Sequence, residues 1–175
     1  MTPERVAYHR LMLLAGLREE YERELDHVLE TADPIPEPEL TLAFYMSDLN
    51  ETLSVLYNYT LDHPADDQQV YDMVLSSMGE LYARGDFSAS RITGMLCTIA
   101  LAADRRCADP PWCDVYNLSI DQELFEDGHI SEAVFLTVFE TLLFHGKLLN
   151  SWQLSQEQHK KQKKTRLFRK SGDQT

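Results

Sequence analysis

Prolines and glycines limit what this chain can become. Seven of each stand among 175 residues. They separate long stretches instead of recurring at the short intervals of a turn-rich β fold. Inside those stretches apolar residues return at steps of three and four, the spacing of one helix face. Leu14, Leu17, Tyr21, Leu25 and Val28 form such a stripe. It predicts one helix from about Pro3 to Thr31, with Thr2 as its cap and Pro3 at the first helical position. Arg18–Glu22 and Glu19–Arg23 make i,i+4 pairs on its wet side. Three prolines within Asp33–Pro38 then break the chain.

A second helix is predicted from about Pro38 to Leu61, with Leu42, Met46, Leu49, Leu53 and Leu56 as its stripe. His63-Pro64 ends it. Asp66 or Asp67 caps a third helix to about Ala83, which turns Tyr71, Val74, Leu75, Met78 and Tyr82 inward and closes at Gly85. Ser88 opens a fourth, with Ile92, Met95, Leu96 and Ile99 inside, ending near Arg105 or Arg106. Cys107 to Leu118 reads as irregular, and Asp109-Pro-Pro-Trp-Cys113 stands within it. Ser119 then caps a short helix, Ile120 to Glu126; Gly128 turns the chain, and Ser131 caps a sixth helix to about Trp152. That last helix is apolar on most sides, which predicts a central place in a bundle. Glu80–Ser88 and Glu123–Ser131 form a weak internal repeat, both reading as helix end, Gly turn, apolar residue and Ser cap. The expected fold is all-α: a single-domain bundle of about five to six helices over residues 1–154. A basic tail over 155–175, helical extension or disordered, follows it.

Charge is divided as sharply as structure. Seven of the 16 Lys/Arg but one of the 29 Asp/Glu fall in 159–175, leaving residues 1–158 with a net of −19. Such a body sets up a negative potential that attracts basic partners and disfavours nucleic acid, except through the tail; solubility alone also accounts for it. No apolar run reaches the ~18 residues of a membrane-spanning helix. Glu4, Arg5 and His9 interrupt any leader pattern at the N-terminus. Three cysteines, Cys97, Cys107 and Cys113, are an odd count and fit reduced thiols in a cytoplasmic protein.

Motifs with chemistry do not complete themselves. Asp127-Gly-His-Ile130 has the core of a calcium loop, but the alignment puts Phe125 and Val134 at ligand positions. Glu24-x-x-His27 and Glu126-x-x-His129 have di-iron spacing, yet the second straddles Gly128. Cys107 and Cys113 lack both the Cys-x-x-Cys spacing of an oxidoreductase and a second pair for zinc. No cofactor is expected. Glu19-Glu-Tyr-Glu22 and Asp48-Leu-Asn-Glu51 place two acid pairs on neighbouring helices. Over residues 19 to 51 the chain resembles the all-α nucleotide pyrophosphohydrolases of the MazG and dimeric dUTPase kind. That resemblance implies Mg²⁺ held against a nucleoside triphosphate. The second pair is reversed here, and a helical wheel turns Asp48 and Glu51 away from the leucine stripe.

The composition therefore leads first to a non-enzymatic acidic binding protein, an inhibitor, immunity protein or antitoxin-like regulator that docks a basic protein partner. Its expected contacts are Glu19, Glu20, Glu22, Glu24, Asp26, Asp62, Asp66 and Asp67, with Trp112 as an exposed aromatic anchor. The Mg²⁺-dependent hydrolase is one alternative. A self-assembling protein, with the basic tail of one copy on the acidic body of another, is the other.

Overall fold

The computed structural model describes residues 1–35, 37–44, 47–102 and 109–160, and among these there is no strand. Among the described residues there are eight helices with the bounds α1 (Pro3–Leu14), α2 (Glu19–Thr31), α3 (Glu37–Phe44), α4 (Leu49–Asp62), α5 (Asp67–Ala83), α6 (Ala89–Ala102), α7 (Trp112–Glu126) and α8 (Glu132–His145). A further helical stretch covers 151–160. The tail beyond residue 160 lies outside the described residues, as do Met46, Cys107 and the expected end of the fourth helix. No described helix is long and apolar enough to cross a membrane.

The all-α expectation holds, but the helix count rises because two long predicted helices each divide. Gly16, at φ 83°, breaks the first one. The N–H groups of Ala15, Gly16 and Leu17 fold back onto the carbonyls of Leu11, Leu13 and Met12, the closing bonds of a left-handed helix end. Asp48 divides the second: its carboxylate accepts from the N–H groups of Asn50 and Glu51 at 3.0 and 3.2 Å and starts α4 afresh. The expected leucine stripe fails at Leu49, which is exposed.

The stretch expected to be irregular is helical from Trp112 onward. Pro110 and Pro111 stand just before it, where a missing N–H costs nothing. Ser119 is mid-helix; its hydroxyl donates to the Tyr116 carbonyl at 2.7 Å and caps nothing. Trp112 itself is only 2% exposed. It meets Tyr71 edge to face, with ring centroids 5.2 Å apart. The exposed aromatic anchor expected at this position is therefore a core residue. The sixth predicted helix also ends early, at Gly146 with φ 60°. Its central placement is observed, since Phe135, Val138, Phe139 and Leu142 are all buried. Within 155–160, Ser155 is buried and Gln158 accepts from the Ser131 hydroxyl at 3.2 Å, while Gln156, Glu157, His159 and Lys160 are exposed.

Two apolar cores share one wall. The larger core draws on α5 to α8 together with Tyr8, Leu11 and Met12 of α1. The smaller joins Tyr21, Leu25, Leu42 and Leu56 to Val6 and Leu13 of the same helix. α1 packs on α4, α5 and α6. A twelve-residue helix is thus buried from several sides.

The weak sequence repeat is a structural one. At both turns three N–H groups bond back over four, three and five residues: Arg84, Gly85 and Asp86 onto Glu80, Tyr82 and Leu81, then Asp127, Gly128 and His129 onto Glu123, Phe125 and Leu124. Ser88 and Ser131 each cap the helix that follows, at 3.3 Å. α8 repeats the bounds of α6 with every number raised by 43. Five buried positions coincide under that shift: Ile92/Phe135, Met95/Val138, Leu96/Phe139, Ile99/Leu142 and Ala100/Leu143. The two hairpins cross-pack, α5 on α8 and α6 on α7.

Emission spectra check the burial of Trp112. With Trp152→Phe, the remaining Trp112 should emit at short wavelength and resist iodide quenching. With Trp112→Phe, the remaining Trp152, 61% exposed, should emit red-shifted and quench freely. Trp112→Ala should cost about 3–5 kcal/mol in urea unfolding.

Candidate functional site

The acids expected on one docking face are divided between two places. Arg5, Tyr8 and His9 lie along one face of α1, and Glu20 and Glu24, one turn apart on α2, meet them. Arg5 pairs with Glu20 at 3.3 Å and, more closely, with Glu24. The Tyr8 hydroxyl bonds Glu20 and lies 2.7 Å from the Ser77 hydroxyl of α5. His9 is fully buried with Nε2 2.9 Å from Glu24 Oε2, so the neutral ring donates there. Its Nδ1 has no hydrogen-bond partner among the described residues. Burial, reinforced by the Arg5 charge, pushes the imidazole down to about 4. Burial likewise raises the Tyr8 phenol well above its usual range. Glu20 and Glu24 are thus structural: they tie α2 to α1. Glu22 forms the expected pair with Arg18, at 3.2 Å. Asp26 is exposed.

Asp62, Asp66 and Asp67 come together at the other place, with an acid from α1. The Asp66 carboxylate caps α5 through the Gln69 N–H at 2.9 Å. Its backbone N–H reaches Glu4 Oε1 at 3.4 Å, and backbone donors hold the Glu4 carboxyl below its usual value. Asp67 opens α5, and Asp62 is the last residue of α4. Beside them runs a groove of about 220 Å³ whose lining mixes apolar side chains with Arg10, Thr60 and Asp67. Ala7 and Leu11 of α1, Tyr57 of α4 and Val70 of α5 line it, and Trp112 meets it from below. Leu61, 61% exposed, stands at its rim. Arg10 closes one side, stacked 4.7 Å over the Tyr57 ring and bonded to the Ala102 carbonyl at 3.4 Å. The groove was illegible in sequence because four helices build it. Its one readable sign was an acid on each side of His63-Pro64.

Asp62 is out of place for stability. Carbonyl dipoles make a helix C-terminus negative, so a carboxylate there costs rather than contributes. No ion pair offsets Asp62 among the described residues. The last turns of α1 to α7 likewise carry no basic residue. The groove end of the molecule gathers the C-terminus of α4, with Asp62 on its last turn, and the N-terminus of α5.

The metal readings find no support in the geometry. Asp48 is committed to the α4 cap and Glu22 to Arg18. Among the described residues no group of three His, Cys, Asp or Glu side chains could hold a metal. Cys97 and Cys113 are free thiols, and burial and the neighbouring Asp114 push the Cys113 thiol up. Comparison of the chain with protein-family models, curated proteins and solved structures finds no match.

The buried histidine gives a pH signature. Its folded value, about 4, lies below the usual 6.5. The unfolded chain therefore takes up a proton first, and stability falls as pH drops from about 6.5 towards 4. The loss should be on the order of 2–3 kcal/mol. His9→Phe should flatten that part of the urea-derived stability profile; an unchanged slope would show that His9 is not its source.

Proposed function

We propose that this chain is a non-enzymatic, cytoplasmic binding protein that docks a basic protein partner at the α4–α5 end. One observation carries the reading: Asp62 holds a position that costs the fold stability, and it stands next to Leu61, which lines a groove together with Asp67. Glu4, Asp66 and Asp67 stand at helix N-termini, where carboxylates stabilise, whereas Asp62 stands at a helix C-terminus, where solubility alone gives a carboxylate no reason to be. The exposed Leu61 supplies apolar contact for the partner, and the acids supply steering and register. The −19 body extends the attraction beyond contact distance.

Contacts expected from α2 contribute less to this reading. Glu20 and Glu24 face Arg5, Tyr8 and His9, which leaves Glu19 and Asp26 as the open charges of that set. Trp112 supports the groove from beneath and is not itself a contact. The partner class remains that of an inhibitor, immunity protein or antitoxin-like regulator, a protein that covers a cationic surface.

Asp62→Lys separates this reading from plain surface charge, because its two effects have opposite signs. The substitution should raise stability by about 0.3–1 kcal/mol by complementing the helix end. It should also weaken binding of a Lys/Arg-rich peptide unrelated to this chain several-fold at low salt, measured by fluorescence anisotropy. Binding by the wild type should fall steeply as salt rises. An affinity unaffected by Asp62→Lys would remove the groove from the interface.

A further inference from the structure

We infer that α2 and α3 form a lid that lifts off α1 and α4 as one unit, latched at neutral pH through Arg5, Tyr8 and His9 and released by acid, while the larger core stays closed.

The division of the cores is the first observation. Among the described residues the larger core draws nothing from α2 or α3. Their apolar attachment is the smaller core, where Tyr21, Leu25 and Leu42 meet Val6, Leu13 and Leu56. α2 packs on α1 and α3, and α3 packs on α2 and α4. Parts of a protein open on their own where few buried apolar contacts tie them to the rest.

Both ends of the pair are breaks. Gly16 stands in a left-handed conformation before it, and α4 starts afresh at its Asp48 cap after it. The backbone bonds that close α1 and open α4 involve no residue of α2 or α3. The pair can therefore lift without unwinding its neighbours.

The latch is polar. Arg5, Tyr8 and His9 hold Glu20 and Glu24 of α2, and the Met1 ammonium holds Glu39 of α3. Opening as a unit exchanges all of these bonds together for bonds with water, so their net contribution against it is small.

His9 makes the latch acid-sensitive. Its ring is fully buried, Nε2 is engaged by Glu24, and Nδ1 has no hydrogen-bond partner among the described residues. A second proton on the ring finds no acceptor under the closed lid. Glu20 and Glu24 face the ring with negative charge, whereas Arg5 and the Met1 ammonium oppose a positive ring. The Tyr8 and Tyr21 rings flank it. α4, α5 and α6 bring it no charge among the described residues. Burial, then Arg5, holds the closed value at about 4, and the open lid restores the usual 6.5. The open form takes up the proton first, so opening is favoured as pH falls through that window.

The test is hydrogen exchange of the full-length chain, read by NMR as protection factors against urea and pH. Amides of α2 and α3 should share one protection well below that of α6 and α8. Its urea dependence should be weak, because lifting a lid exposes less surface than unfolding. From about pH 6.5 to about pH 4.5 it should fall on the order of tenfold. His9→Phe should remove most of that fall, with His9→Gln as the second variant where the first does not fold. Val138→Ala lies on α8 in the larger core. It should lower the protection of α6 and α8 several-fold and leave that of α2 and α3 unchanged.

If α2 and α3 lose protection together with α6 and α8 in Val138→Ala, they open only with the whole protein and the inference is overturned. A pH dependence of α2 and α3 that survives the loss of His9 overturns it as well.

Discussion

Burying α1 on several sides is the constraint on which the other elements depend. A helix that serves two cores has little surface left for water, so its polar residues must find partners inside the protein. Tyr8 and His9 do so with Arg5, Glu20, Glu24 and Ser77. This arrangement adds charge and hydrogen bonds to the apolar packing of Tyr21 and Leu25 that holds α2 against α1, where α5 to α8 are held mainly by apolar packing. Breaking one member leaves others buried without a partner, which costs more than the net value of the bond itself. The network is therefore a source of specificity: it fixes which face of α2 turns inward after the bend at Gly16.

That inward turn also reshapes the electrostatics. The acids of α2 looked in sequence like one continuous field, but only part of the field reaches solvent. Its neutralised part, Glu20 and Glu24, lies against α1, and Glu19 and Asp26 remain exposed. A net charge alone could not have located them. The position of each acid relative to a helix end matters more than how many there are.

Legibility followed the chemistry of the local signals. The turns at Gly85 and Gly128 were readable because a glycine that adopts a left-handed conformation and a serine cap stand at fixed offsets. Gly16 was passed over because Leu14, Leu17 and Tyr21 keep helical spacing straight through the bend. Asp48 was read as a candidate ligand when its role was a cap, an ambiguity inherent in a short acid side chain near a helix start. Trp112 reads as exposed because it falls in a stretch that reads as irregular, yet the two prolines before it introduce a helix. The α1–α2 network had a signal that the stripe analysis did not use. Arg5 and His9 stand four apart, as do Glu20 and Glu24, so two complementary polar rows face one another across the turn.

The central place of α1 has a consequence for the order of events during synthesis. Its partners α4, α5 and α6 are made after it, and the last of them ends at Ala102. At about 5–20 residues per second, roughly 5–20 s pass between completion of α1 and completion of α6. During that interval Val6, Leu11, Met12 and Leu13 have no core to enter. The two hairpins close short loops and form quickly once translated. The first helix to leave the ribosome is therefore among the last to be enclosed, and the nascent chain carries an apolar N-terminal helix in need of shelter until its middle third exists.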